Sequence, residues 1–201
     1  MEISIIIPVH NLESYITQCL ESISMQNYDK AKYEVILVLD SCTDGSKAKI
    51  LEWKAAWPEI NVKVLEVVIG NPGGTRNTGI EAAAGNKFAF IDGDDYWVRA
   101  DALSAMDTAA RDGSAVYQES YESNDGITPD VKERDAVWRF LIPREIIGNT
   151  RFAHMQTNED FRFIRELRKK VNIYKENRIP DVLYHYTHPR AGSITTEMGG
   201  A

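Results

Sequence analysis

"YEVILVLDSCTDGSKAKILEWKAAW", residues 33–57, passes from a β-branched apolar run through an acidic turn-forming stretch into a segment ended by Pro58. Strand, turn and helix in that order make one half of a crossover unit, with the helix capped near Asp44 or Ser46 and stopped before the proline. The chain before it reads the same way. "ISIIIPV" (3–9) has the composition of a strand buried on both faces. "NLESYITQCLESISMQ" (11–26) places Leu12, Tyr15, Ile16, Cys19, Leu20 and Ile23 on one helical face behind a cap at Asn11. Downstream the alternation continues: strand 62–68, helix 74–85 closed by Gly85, strand 87–92, helix 100–113 and a fifth strand at 114–119. Such a row predicts an α/β fold whose central sheet is mainly parallel and flanked by helices.

After Gly113 the pattern changes. Residues 121–130, "YESNDGITPD", are polar and rich in turn formers. Beyond them "VKERDAVWRFLI" (131–142) and "NEDFRFIRELRKKV" (158–171) read as helices, and "VLYHYTH" (182–188) as a strand. We divide the chain into an α/β region, 1–117, and a smaller subregion of the same domain, 118–201. At 201 residues and 43% hydrophobic composition, one sizeable core is available. The net charge of −7 argues against an electrostatic hold on nucleic acid or on an anionic membrane. Cys19 and Cys42 lack metal-ligand spacing and read as reduced thiols. No apolar run approaches the ~18 residues of a membrane span. A soluble cytoplasmic protein is expected, peripheral to a membrane only through its acceptor or a partner.

In an open α/β sheet, ligands gather beyond the carboxyl ends of the strands, where helix N-termini present positive dipole ends. The unusual residues of this chain fall at those ends: "PVHN" (8–11), "LDSCTDGS" (39–46), "GNPGGTRN" (70–77) and "DGDD" (92–95). Locally, Asn11, Asp40 and Asp44 serve as well for turns and caps, and the glycine-rich stretch matches neither common phosphate-loop pattern. "DGDD" differs. Asp92, Asp94 and Asp95 repel one another unless a cation sits among them, and hard oxygen donors at this spacing suit Mg2+ or Mn2+, which in turn neutralises a diphosphate.

In this order, "PVHN", "LDSCTDGS", "GGTRN" with "AAAG", "DGDD" and "NED" resemble glycosyltransferase family 2, whose members have the GT-A fold. The resemblance covers roughly residues 3–195. It implies that Asp40 contacts the nucleotide base, usually uracil, with Pro8, His10 and Asn11 lining that pocket and Arg76 beside the base. Asp92, Asp94 and Asp95 would bear on the ribose and on Mn2+ or Mg2+ at the diphosphate, with Asp94 and Asp95 as the metal ligands. Asp160 stands at the family's catalytic base, on a segment that a helix capped by Asn158 would also explain. Trp138 matches an aromatic that floors the sugar pocket in relatives, although the same residue fits a core. Among the closing residues, His188 or Arg190, with His185 as a third choice, would meet the diphosphate.

The implied reaction is inverting transfer from a nucleoside diphosphate sugar, on family habit a UDP-sugar, to a hydroxyl of a glycan, lipid carrier or protein. Two other readings stay open: a sugar nucleotidyltransferase, and a non-catalytic nucleotide-sugar-binding module. Leu39 and Ser41 depart from the family's usual Asp and Gly. Only 66 positions separate Asp94 from Asp160, a short interval that leaves acceptor choice the least transferable inference.

Overall fold

The computed structural model describes residues 1–128, 135–170 and 175–187. In chain order its elements are β1 (Ile3–Val9), α1 (Ile16–Ser24), β2 (Tyr33–Asp40), α2 (Ser46–Ala56), β3 (Asn61–Val67), α3 (Pro72–Ala82), β4 (Lys87–Phe90), β5 (Tyr96–Trp97), α4 (Ala102–Ala109), β6 (Ala115–Gln118), β7 (Tyr121–Ser123), β8 (Gly126–Thr128), β9 (Phe140–Pro143), α5 (Arg144–Ile147), α6 (Glu159–Arg168), β10 (Glu176–Ile179) and β11 (Tyr184–Tyr186).

The main sheet runs β10-β6-β9-β4-β1-β2-β3. Strands β1, β2, β3 and β4 are mutually parallel, as expected of crossover connections, and β10 is parallel to β6. A smaller sheet, β5-β11-β7-β8, stands at the carboxyl end of the first. Alternation along the strands divides the core into two layers. Ile3, Ile5, Ile7, Val35 and Leu37 meet Ile16, Leu20, Ile23, Ile50 and Leu103 from α1, α2 and α4. Ile6, Ile36 and Val38 meet Ile80, Ile146, Phe163 and Leu167 from α3, α5 and α6. Each such side chain contributes about 1.5–3 kcal/mol on burial, so the sheet is clamped from both sides.

Three expectations change. "VKERDAVWRFLI" is not a helix where described: Val137–Arg139 form a single 3-10 turn and Phe140–Pro143 become β9, antiparallel to both β4 and β6. An apolar run between two strands that lack a shared neighbour is more stable completing their ladders than as an isolated helix. Asn11 does not cap α1. It adopts the left-handed backbone (φ 51°), and its carboxamide oxygen accepts from the Thr43 amide at 2.8 Å instead. Asn158 is also left-handed (φ 62°), with no capping bond from its side chain.

Helix α3 begins two residues before the expected start, because Asn71 Oδ1 accepts from Gly74 N at 2.8 Å and Pro72 follows that cap. It packs unusually close to its neighbours. A Cβ at Gly79 would lie 2.4 Å from Ile6 Cγ2, and one at Gly73 would lie 2.2 Å from the Ala153 carbonyl. These glycines let α3 press simultaneously on β1 and on the chain leading into α6.

Candidate active site

The first two strand-end loops are stitched together by their polar residues. Leu12 N donates to Ser46 Oγ (2.8 Å), Glu13 N to Asp44 Oδ2 (2.9 Å), and Gly45 N to Glu13 Oε2 (2.9 Å). His10 Nδ1 lies 2.7 Å from the Asp40 carbonyl. Pro8 is half-buried, whereas His10 and Asn11 are exposed at the rim.

Asp40 is buried at the end of β2, and its carboxylate serves the next loop. Oδ1 accepts from Ile69 N (2.8 Å) and Ser41 Oγ (3.1 Å), and Oδ2 from Gly70 N (2.7 Å) and Thr75 Oγ1 (3.0 Å). Burial pushes this carboxyl up, but the Ile69 and Gly70 amides and the Thr75 hydroxyl outweigh it, so the group sits below its ordinary range. Asp40 therefore shapes the β3–α3 loop, a task the sequence did not disclose.

Three consecutive residues of α3 reach three different places. Thr75 binds Asp40. Arg76, only 4% exposed, sends one terminal nitrogen to Asp92 Oδ1 (2.6 Å) and the other to Glu159 Oε1 (2.7 Å). Asn77 makes a two-way bracket with the Phe152 backbone, donating to its carbonyl (3.0 Å) and accepting from its amide (2.9 Å). Arg76 thereby joins the end of β4 to the start of α6.

The acidic turn folds tightly, with Asp95 N donating to Asp92 O at 2.9 Å. Its glycine has a steric reason: a Cβ at Gly93 would lie 2.8 Å from Leu12 Cδ1, so the turn is packed against the β1–α1 loop. The three carboxylates part company. Asp92 stays partly open and pairs with Arg76, and Asp94 is half-exposed. Asp95 is 1% exposed, accepting from Tyr184 Oη (2.8 Å) and Thr187 N (2.8 Å). Burial, then the charges of Asp94 and Asp92, hold its carboxyl well above the ordinary value. Of the expected metal pair, Asp94 is half-exposed, while Asp95 anchors the turn to β11. Tyr184, absent from the sequence expectations, also accepts from Asp92 N (3.2 Å).

Asp160 occupies the first turn of α6. Its Oδ2 accepts from Val137 N at 3.3 Å. Burial raises its carboxyl above the ordinary range; Arg76 opposes that rise and Asp92 adds to it. Glu159 is raised likewise, by burial first, with Arg76 opposing and Asp160 adding. Trp138 turns out to be core. It stacks on Tyr184 (4.3 Å, 9°) and Tyr186 (5.8 Å, 14°), with Tyr121 edge-on at 5.1 Å. His185 is held in the small sheet, stacked on Tyr96 at 4.4 Å with Nδ1 2.9 Å from Glu122 Oε1. His188 and Arg190 lie outside the described residues.

Among the described residues no group of three His, Cys, Asp or Glu side chains is arranged to hold a metal ion. Asp92 and Asp94, two positions apart in the turn and both partly exposed, still supply hard oxygen donors. Mg2+-like ions are commonly held by one or two carboxylates, with phosphate oxygens completing the shell, and this donor set fits that mode. No helix among the described residues is long and apolar enough to cross a membrane.

Solved structures share this architecture. Residues of this chain superpose in full on 61% of a Staphylococcus aureus TarS 1–349 structure in complex with UDP-GlcNAc, with TM-score 0.84 and 22% identity. They also match the mannosyltransferase PcManGT of Pyrobaculum calidifontis in complex with GDP-Man and Mn2+, at TM-score 0.78 and 19% identity over 95% of this chain and 58% of that one. Among curated relatives, the poly(ribitol-phosphate) beta-glucosyltransferase of Bacillus spizizenii is 41% identical over 96 residues, 48% of this chain but 15% of that protein. The uncharacterized glycosyltransferase EpsJ of Bacillus subtilis is 27% identical over 87% of this chain and 56% of its own length. The chain therefore spans only part of these relatives. The family model described as glycosyl transferase family 2 matches residues 4–171, and the chain belongs to that family.

Proposed function

We propose that this chain transfers a sugar from a UDP-sugar to an acceptor hydroxyl, with inversion at the anomeric carbon and with Mn2+ or Mg2+ at the diphosphate. One observation carries the reading: a half-buried carboxylate of raised proton affinity, Asp160, stands on a helix start tied by one guanidinium to the acidic turn after β4. A general base works best when its pKa lies nearer the operating pH than a free aspartate's, and such assistance is worth roughly 10² to 10⁴ in rate. The UDP-GlcNAc complex of TarS supports the donor class, and the Mn2+ complex of PcManGT supports the dication.

In the proposed reaction the acceptor oxygen bonds to the anomeric carbon, the bond from that carbon to the diphosphate breaks, and the acceptor proton passes to a carboxylate oxygen of Asp160. Asp92 and Asp94 would hold the dication, which when bound supplies Lewis-acid stabilisation of the departing diphosphate. Asp95 is tied through the Tyr184 hydroxyl to the backbone amide of Asp92, which anchors the turn that carries them. Asp40, Pro8, His10 and Asn11 frame the donor side.

The test is a thermal-shift screen of UDP-sugars and GDP-sugars with and without Mn2+, followed by product analysis on an acceptor panel. Stabilisation by a UDP-sugar that depends on Mn2+, and release of free UDP with a glycosylated product, are expected. Release of sugar 1-phosphate, with the uridylyl group passing to the acceptor or to added pyrophosphate, would indicate nucleotidyl transfer. Donor binding without any turnover would indicate a binding module.

A further inference from the structure

Building on that reading, we propose that Arg76 is a positioning residue for the transfer step and not a ligand of the nucleotide. Its guanidinium fixes the first turn of α6 against the acidic turn, and so sets where Asp160 meets the acceptor hydroxyl.

Four observations carry this. The two terminal nitrogens each face a carboxylate, Asp92 at 2.6 Å and Glu159 at 2.7 Å, from parts of the chain 67 residues apart in sequence. The side chain is 5% exposed, which leaves little of it for a nucleobase to touch. One wall of its pocket is the Phe152 ring, 5.6 Å from the guanidinium carbon, and that ring stacks on Phe163 of α6 at 3.9 Å and 12°. Phe152 is in turn held by Asn77, the next residue on α3. Arg76 and Asn77 thus grip α6 from one helix, by charge at Glu159 and by packing through Phe152. Asp160 follows Glu159 directly, so a shift of that turn moves the base away from the acidic turn that would face the donor. A planar guanidinium fork holds the two carboxylates at a fixed separation and angle, whereas an ammonium is a compact point charge with rotatable donors and fixes neither.

The experiment compares wild type with Arg76→Lys and Glu159→Gln, after circular dichroism shows each to be folded. Initial rates are measured against donor concentration with Mn2+, and amide exchange is followed in peptides covering 158–164. Arg76→Lys is expected to lower kcat by about 10- to 100-fold while donor KM stays within about threefold, the signature of lost alignment. Glu159→Gln, whose amide oxygen still accepts from Arg76, should show the same split but retain more activity. Exchange at 158–164 should quicken by about fivefold or more in Arg76→Lys while peptides from β1 stay unchanged. A loss confined to donor KM would make Arg76 a nucleotide ligand and overturn the proposal, as would unchanged exchange at 158–164. If Arg76→Lys fails to fold, Glu159→Gln and Glu159→Ala carry the same comparison, and full kcat in both overturns it. Should wild type transfer no sugar, the functional reading falls, while the exchange measurement still decides whether Arg76 holds the helix.

Discussion

Replacing Asp40 by Asn removes one charge and exchanges one oxygen for an NH2 group at a site where four donors converge. In one orientation the NH2 faces Gly70 N and Thr75 Oγ1; in the other it faces Ile69 N and Ser41 Oγ. Either hydroxyl can turn, and Thr75 has a second acceptor in the Asn71 carbonyl at 2.9 Å. The backbone N–H cannot turn. One charge-assisted bond is lost and one amide is left facing another donor, a cost of about 2–4 kcal/mol. For a domain of this size each kcal/mol lowers Tm by about 2–4 °C, so a fall of roughly 5–15 °C is expected at pH 7. The pH dependence has a definite sign. Asp40 is lowered in the folded state, so its contribution is present above the unfolded carboxyl value of about 3.9 and is lost as pH falls through the folded one. Thermal melts of wild type and Asp40→Asn should therefore lie furthest apart near neutrality and converge below about pH 4. A Tm drop under about 2 °C at pH 7, or a gap that persists on acidification, would refute the assignment of Asp40 to the β3–α3 loop.

Asp160→Asn should leave calorimetric UDP-sugar binding intact and cut kcat by about 10² to 10⁴; a wild-type rate would remove Asp160 from the reaction. Because Asp160 must be ionised to act and burial raises its pKa, the acidic limb of kcat should lie above the ordinary aspartate value of about 3.9. A rate that stays flat from pH 7 down to 4 contradicts this. Asp94→Ala should abolish the Mn2+-dependent part of UDP binding seen by calorimetry, whereas an unchanged response to chelator would exclude Asp94 as a ligand. Trp138→Ala opens a large cavity beside Tyr184 and is expected to destabilise by about 3–5 kcal/mol in chemical denaturation; a loss under about 1 kcal/mol would show that the ring is not a core element.

The donor half of the fold was legible because its signals are local. β1 to β4 and the helices between them announce themselves through apolar runs and turn residues a few positions apart, and the acidic turn is a single tetrapeptide. What escaped was set by distant partners. Phe140–Pro143 is a strand only because β4 and β6 flank an open position, and its apolar spacing alone suits a helix equally well. β10, "ENRI", has no alternating pattern to read. At the site, the sequence pairs Asp94 with Asp95, and only the approach of Tyr184, 89 residues later, separates buried Asp95 from half-exposed Asp94. The Arg76–Glu159 pair spans 83 residues, and no local spacing could have joined them.

The antiparallel course of β9 has a wider consequence. Because β6 and β4 point the same way and β9 the other, β6 ends and β9 begins at the same rim, the one where the donor would bind, so the connection between them is an excursion from that rim. Changes in the length of this excursion leave every ladder of the main sheet untouched. Loop closure grows slowly with length, about 0.6 kcal/mol per doubling, so insertions there are cheap compared with the stability of a domain. Such an arrangement lets this rim vary in length while the sheet below stays intact. Chimeras carrying longer excursions from relatives should accordingly melt close to the parent.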